Sequence, residues 1–387
     1  MASSTLIFPN QQELTQSVIN VAPLSNLQIG KSIASKIHSD AVSLYTRGTE
    51  LYNQQNYKEA ITKFDTVLEL SPNFVEAHLN RGASFLKSGN YSKALEDFES
   101  ALKFKPDFVE AYMNRGVSFL KLGKYSKALA DLELALKLKP DYVDAWFNKG
   151  ALFERQGQYE EALLAIDEVI KYQPDNPEGW YIRGYLLLHL KHFSGSITAT
   201  ERSIQLQVHN YDAWLNLGTA QVCLTQYSNA VKSLDKAIDI EANRPDAWSS
   251  KGLSLIHLKR YDEAIHAYSQ ATKLKPELSK AWYNRACAYA LKGNAEKAIQ
   301  DLEEAIRLFP NWREDAKTEP DFNSVRDRLQ FLQIVNGSKE FSVSQSTNTD
   351  TKYASTNDAL ECEQEAWQAY LDSEREREEV YRRLANS

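Results

Sequence analysis

The sequence predicts an all-α solenoid: eight helix-turn-helix units of 34 residues, stacked in one array and closed by a C-terminal capping helix. Three observations carry this. Five tryptophans, Trp146, Trp180, Trp214, Trp248 and Trp282, recur every 34 residues, with glycine four places after the first four, at Gly150, Gly184, Gly218 and Gly252. A fixed period of this length marks one supersecondary unit used many times over. Proline recurs at Pro72, Pro106, Pro140, Pro174, Pro276 and Pro310, where its missing N–H and its clash with the preceding turn end a helix. Small residues recur between these landmarks, as expected where two helices approach too closely for a longer side chain.

When the glycine is numbered position 8, the units run 41–74, 75–108, 109–142, 143–176, 177–210, 211–244, 245–278 and 279–312 without insertion. Residues 1–40, rich in Ser, Gln and Asn, form a mostly flexible leader, with a helix expected from Ser32 toward Tyr45 and Ser32 as its cap. Position 8 is glycine in every unit except the last, which has Ala286, and position 20 is alanine everywhere except at Ser196. Aromatic residues at positions 4, 17 and 24 supply the core, because each two-helix unit is too small to bury its own apolar face and relies on its neighbours. The fifth unit departs from this pattern at Ser196, Thr200, Ser203 and Val208, so its second helix is expected to bury less and to act as a flexible joint. Beyond the eighth unit, residues 313–335 predict a capping helix with Phe322, Val325, Leu329 and Leu332 on its apolar side. Residues 336–358 are Ser, Thr, Asn and Lys with few apolar groups, a flexible linker. Residues 359–387 form a charged amphipathic helical tail carrying Trp367, Tyr370 and Leu371, a segment suited to docking on a partner or on the array itself.

The Trp, Gly, Tyr, Ala, Phe, Pro series closely resembles the tetratricopeptide repeat (TPR) family over more than two thirds of the chain. The segment AKTEPDFNSVRDRLQFL also resembles the tail of many bacterial members. That resemblance implies a right-handed superhelix whose first helices line a concave groove with positions 2, 5, 6, 9, 12 and 13. Position 6 then supplies Asn80, Asn114, Asn148, Asn216 and Asn284, similar to the asparagine ladder of the O-linked N-acetylglucosamine transferase repeats. A carboxamide both donates and accepts, which matches the main chain of an extended peptide; a helix-to-helix hydrogen bond is the competing role. Position 5 supplies apolar groove residues Leu79, Met113, Phe147, Tyr181, Leu215 and Tyr283. The carboxylate clamp of the chaperone-binding members is not matched, since no three consecutive units carry its Lys, Asn and Arg set.

Charge narrows the function classes. The net charge is −7, and residues 313–387 hold 10 Lys and Arg against 16 Asp and Glu, leaving the array near neutral. Such an array, with no ladder of exposed basic residues apparent in it, does not fit nucleic acid as a partner. Position 2 carries an acidic row, Glu76, Glu110, Asp144, Glu178, Asp212 and Asp246, chiefly complementing the helix dipole. Position 7 is basic in most units, and Arg81, Arg115 and Arg285 are placed to pair with Asp97, Asp131 and Asp301 at position 23. Three well-separated cysteines and seven scattered histidines suggest neither disulfide nor metal site. No nucleophile or phosphate-loop signature occurs, so no catalytic residue and no cofactor is expected. The absence of a long apolar run argues against a membrane span, and cysteine usage fits a cytoplasmic setting. The expected function is a non-catalytic scaffold holding a protein or peptide ligand in its groove, with a regulatory or substrate-presenting subunit of an enzyme complex as the alternative.

Overall fold

The computed structural model describes the backbone of residues 28–336 and the side chains of residues 38–336. All of its regular structure is helical. The first helices of the repeats are α1 (Gln28–Asn53), α3 (Val75–Lys87), α5 (Val109–Lys121), α7 (Val143–Arg155), α9 (Pro177–His189), α11 (Tyr211–Cys223), α13 (Pro245–His257) and α15 (Ser279–Leu291). The second helices are α2 (Tyr57–Leu70), α4 (Tyr91–Phe104), α6 (Tyr125–Leu138), α8 (Tyr159–Tyr172), α10 (Phe193–Leu206), α12 (Tyr227–Ile240), α14 (Tyr261–Leu274) and α16 (Ala295–Leu308). Two compact units result, one ending at Pro174 and the other beginning at Asp175. Within each unit, the second helix of one repeat packs on the first helix of the next. Successive first helices also touch, so each unit draws together on that side.

Local sequence explains the hairpins. Each repeating proline stands two residues beyond a second helix, and the carbonyl beside it is used. The indole N–H groups of Trp146 and Trp282 donate to the carbonyls of Pro140 and Pro276 at 2.8 Å, and the Tyr112 hydroxyl donates to that of Pro106 at 3.1 Å. In repeats that lack the proline, Trp214 and Trp248 make the same bond to Val208 and Ala242, both at 2.9 Å. The tryptophan column is therefore half-buried, with its polar edge capping the preceding helix end. Position 8 behaves as the spacing predicts: a Cβ on Gly252 would stand 2.7 Å from the ring of Tyr268, and one on Gly82 would stand 2.7 Å from Phe98. The turn residue at position 15 has positive φ in every repeat, as glycine in four and as Gln55, Lys191, Thr225 and Lys259 in the others.

The second helix of the fifth repeat accommodates its polar residues through hydrogen bonds. Ser196 donates to the carbonyl of Gly184 and Ser203 to that of Pro177, both at 2.8 Å, while the buried Thr200 hydroxyl has no hydrogen-bond partner. Three buried hydroxyls stand where other repeats bury methyl groups or rings. The joint expected there remains a proposal about motion.

Both ends differ from expectation. The helix expected from Ser32 is present but begins four residues earlier, at Gln28, and runs unbroken into repeat 1, so Ser32 lies inside it and does not cap it. Residues 1–27, the linker from 337 and the 359–387 tail lie outside the described residues. The cap is not one helix over 313–335: α17 (Trp312–Thr318) is followed by a 3-10 turn (Pro320–Phe322) and α18 (Leu329–Asn336). Pro320 explains the break, because the residue before a proline is pushed out of helical geometry and Glu319 is indeed extended. Phe322 and Val325 are buried as expected, together with Phe331 and Val335 from α18, whereas Leu329 is 60% exposed. This cluster covers Tyr283, which stacks on Trp312 with centroids 4.3 Å apart.

Candidate functional site

The first helices place six positions toward one side, yet helical geometry separates them. Positions 2, 9 and 13 lie within about 20° of one line, because 11 residues make close to three turns. Positions 5 and 12 fall about 60–80° to one side of that line and position 6 about 40° to the other. The structure follows this division. Leu79, Met113, Phe147, Leu215 and Tyr283 at position 5 are all buried core residues; of that column, Tyr181 is half-buried. Expecting these side chains to line an open groove is therefore corrected: they are packed between repeats, as when Tyr45 stacks on Phe74 with centroids 5.0 Å apart.

The asparagine column divides. Asn80, Asn114 and Asn216 are only 1%, 3% and 1% exposed, at the seam between successive first helices. Asn80 donates to the Tyr45 hydroxyl of the preceding repeat at 2.8 Å, the helix-to-helix bond that was the competing role. Asn148 is half-buried and donates to the Asp144 carbonyl one turn earlier at 2.7 Å; Asn284 is half-buried and makes no side-chain hydrogen bond. The column thus splits between the two roles open to it: Asn80 bonds helix to helix, and only Asn148 and Asn284 present a carboxamide to solvent. Burial also pushes the Tyr45 phenol above its ordinary range, Glu76 adding to the effect.

The 2–9–13 line holds the accessible side chains of the first helices. In repeats 2 to 4 it reads Glu76, Ala83, Lys87, then Glu110, Val117, Lys121, then Asp144, Ala151, Arg155, of which Ala83 is buried, Val117 and Ala151 are half-buried, and the three cations are exposed. In α3, α5 and α7, though not in α1, an acidic group stands at the N-terminal end and an exposed basic group at the C-terminal end. The row Lys87, Lys121, Arg155 corrects the expectation that no ladder of exposed basic residues exists. Its signal was legible as a 34-residue recurrence, hidden because each cation alone reads as a helix-end charge.

In the unit beginning at Asp175 the strip differs. Asp212 and Asp246 are both gripped by Arg244 at 2.9 Å, whose guanidinium lies 3.8 Å over the Tyr211 ring. This supports a structural role for that part of the acidic row. Next to it, Thr219, Val222, Ser249, Ser250, Leu253, Lys280 and Asn284 line a shallow hollow across α11, α13 and α15. Its origin is local: Ser249 and Ser250 stand at positions 5 and 6, where neighbouring repeats have a large apolar residue and asparagine. Neither serine side chain has a hydrogen-bond partner among the described residues.

The pairing of positions 7 and 23 is present. Arg81, Arg115 and Arg285 each hold Asp97, Asp131 and Asp301 with two hydrogen bonds of 2.6–2.9 Å. The Asp131 bond raises the Arg115 pKa. These arginines are committed to the hairpin. Among the described residues, no three His, Cys, Asp or Glu side chains cluster to hold a metal, and no helix is long and apolar enough to cross a membrane.

A family model described as tetratricopeptide repeat matches six overlapping stretches, 45–107, 81–141, 113–169, 152–207, 215–277 and 250–311. No curated protein matches the chain. Among solved structures, MamA from Desulfovibrio magneticus RS-1 is 21% identical, covering 44% of this chain and 96% of its own, with a TM-score of 0.42. A tetratricopeptide repeat protein from Parabacteroides merdae is 15% identical over 65% of this chain and 98% of its own, with a TM-score of 0.47. PilF of Pseudomonas aeruginosa is 17% identical over 54% and 96%, also with a TM-score of 0.47. The family stretches cover well over half of the residues and follow the observed hairpins in register, and so the chain belongs to the tetratricopeptide repeat family and has the build of a protein–protein interaction scaffold.

Proposed function

We propose that the chain is a non-catalytic scaffold that holds an extended or helical polypeptide segment against its first helices, on the 2–9–13 strip and the hollow beside it. One observation carries this most directly: the hydroxyls of Ser249 and Ser250 and the carboxamide of Asn284 border one hollow, and all three side chains are without hydrogen-bond partners. A polypeptide backbone offers a donor and an acceptor at every residue, which complements such a surface regardless of side-chain sequence. Val222 and Leu253, both already buried, form the floor of the hollow, so the polar groups at its border carry the recognition. Asn148 and Asn284 are the members of the expected ladder that keep a role here. Asn80, Asn114 and Asn216 support the strip from within, so replacing them would test stability rather than recognition.

Blocking the strip tests the reading. Ala151→Arg fills the strip and Ser250→Trp the hollow beside it, while Lys232→Trp adds the same bulk as the latter at an exposed site on a second helix. In quantitative affinity purification from the source cell, the first two variants should lose the polypeptides that the wild type retains, and the third should keep them. Retention by both strip variants would sink the proposal.

A further inference from the structure

Lys87, Lys121 and Arg155 occupy the same position on three successive first helices, α3, α5 and α7, all within one compact unit. All three are exposed, and none has a carboxylate partner among the described residues. The other surface arginines and lysines of that unit include several with partners, such as Arg47 with Glu50 and Lys171 with Glu168, each at 2.7 Å. Lys121 senses the other two: loss of water around it, with Arg155 and then Lys87 adding repulsion, holds its ammonium below the ordinary lysine range. Like charges kept adjacent and unneutralised work against the folded state. The helix dipole does not account for the row, because every first helix would profit from a cation at its C-terminal end, yet the equivalent residues of the other unit are His189, Cys223, His257 and Leu291.

Spacing says what would neutralise them. Successive first helices touch, as Asn80 to Tyr45 and Asn148 to Met113 demonstrate, and touching helices lie about 8–10 Å apart. A polyproline-II segment advances about 3.1 Å per residue with three residues per turn, so every third side chain lies on one edge at about 9 Å intervals. A β-strand returns to the same face at about 6.6 Å or 13 Å and misses the rhythm. An α-helix matches it at about 10.5 Å, but only once in seven residues, so three contacts would need a segment twice as long.

We propose that Lys87, Lys121 and Arg155 form a cation track that captures an extended acidic polypeptide carrying Asp or Glu at every third residue. The track deepens the reading of the first helices as a polypeptide-binding strip and rests on it. At the far end of the same strip, Glu76, Glu110 and Asp144 stand about 16 Å away along the helices and face any basic residues that the segment carries on its opposite edge.

The test uses the full chain and fluorescence anisotropy with defined probes. One labelled peptide places glutamate at every third position with proline and alanine between. Its isomer has the same composition with the glutamates consecutive, a third peptide is helical with glutamate every seventh residue, and a fourth probe is a single-stranded oligonucleotide. The periodic peptide should bind about tenfold more tightly than its isomer, with affinity falling as salt rises. Lys121→Glu should weaken it about tenfold or more, Lys121→Gln by less, and Lys273→Glu, at an exposed site on the second helix α14, should leave it unchanged. Circular dichroism of each variant separates lost binding from lost folding. Equal affinity for the isomer, tighter binding of the helical peptide or the oligonucleotide, or equal loss from Lys273→Glu would overturn the track. If that happens while Ala151→Arg and Ser250→Trp still release the cellular partners, the strip stands and only the track is wrong.

Discussion

Asp131→Ala should open the third repeat more than its single lost hydrogen-bond partner suggests. The Asp131 side chain is 5% exposed and that of Arg115 21%, and the two meet through paired bonds of 2.7 Å between α5 and α6. Removing one partner of a buried pair leaves an uncompensated charge, at a cost of about 3–5 kcal/mol. Arg115 keeps one edge in water and senses Glu99 nearby, which brings the expectation just below that range, to about 2–3 kcal/mol. The comparison is Glu304→Ala, whose partner Arg307 is 65% exposed; that loss should stay below about 1 kcal/mol. Because a repeat array unfolds in pieces rather than all at once, native-state hydrogen exchange is the appropriate assay. Amides of α5 and α6 should lose protection by that amount while those of α15 and α16 hold theirs. A drop in α5 and α6 no larger than the one Glu304→Ala produces in its own helix would refute the view that this pair fastens the hairpin.

Three further outcomes are expected. Thr225 is a β-branched residue at φ 55, so Thr225→Gly should stabilise repeat 6 by about 1 kcal/mol, read as slower exchange in α11 and α12. Gly252→Ala should destabilise repeat 7 by about 1–2 kcal/mol because overpacking against the Tyr268 ring outweighs the gain in helix propensity, read as faster exchange in α13 and α14; Gly116→Ala, whose nearest neighbour would be Leu132 at 3.2 Å, should leave exchange in α5 and α6 close to unchanged. Removing residues 337–387 should leave the affinity for the periodic acidic peptide unchanged within about twofold; a clear rise would mean instead that the tail occupies the strip in the intact chain.

The sequence disclosed whatever depends on one hairpin. The glycine at position 8 faces the position 24 side chain sixteen residues on, and Arg115 reaches Asp131 at the same separation, so a single repeat contains both partners. What lay hidden depends on how one repeat meets the next. Asn80 and Met113 read as surface because a helical face can be drawn from sequence, but the neighbour that covers its flank cannot. The cation row was overlooked for the converse reason: Lys121 alone is an ordinary helix-end charge, and only stacking sets it beside Lys87 and Arg155. At the C-terminal end, Phe322, Val325, Leu329 and Leu332 fitted a continuous helical period, and Pro320 overruled it by extending Glu319.

Site-specific photo-crosslinking measures where a bound polypeptide lies on the molecule. A photoreactive phenylalanine analogue at Ala151 or Ser250 reports on the first-helix strip, and one at Lys232 reports on a second helix. Adducts formed in the source cell at 151 and 250 but not at 232 are the predicted result. Adducts that form equally at all three positions, or only at 232, would contradict a scaffold that binds through its first helices.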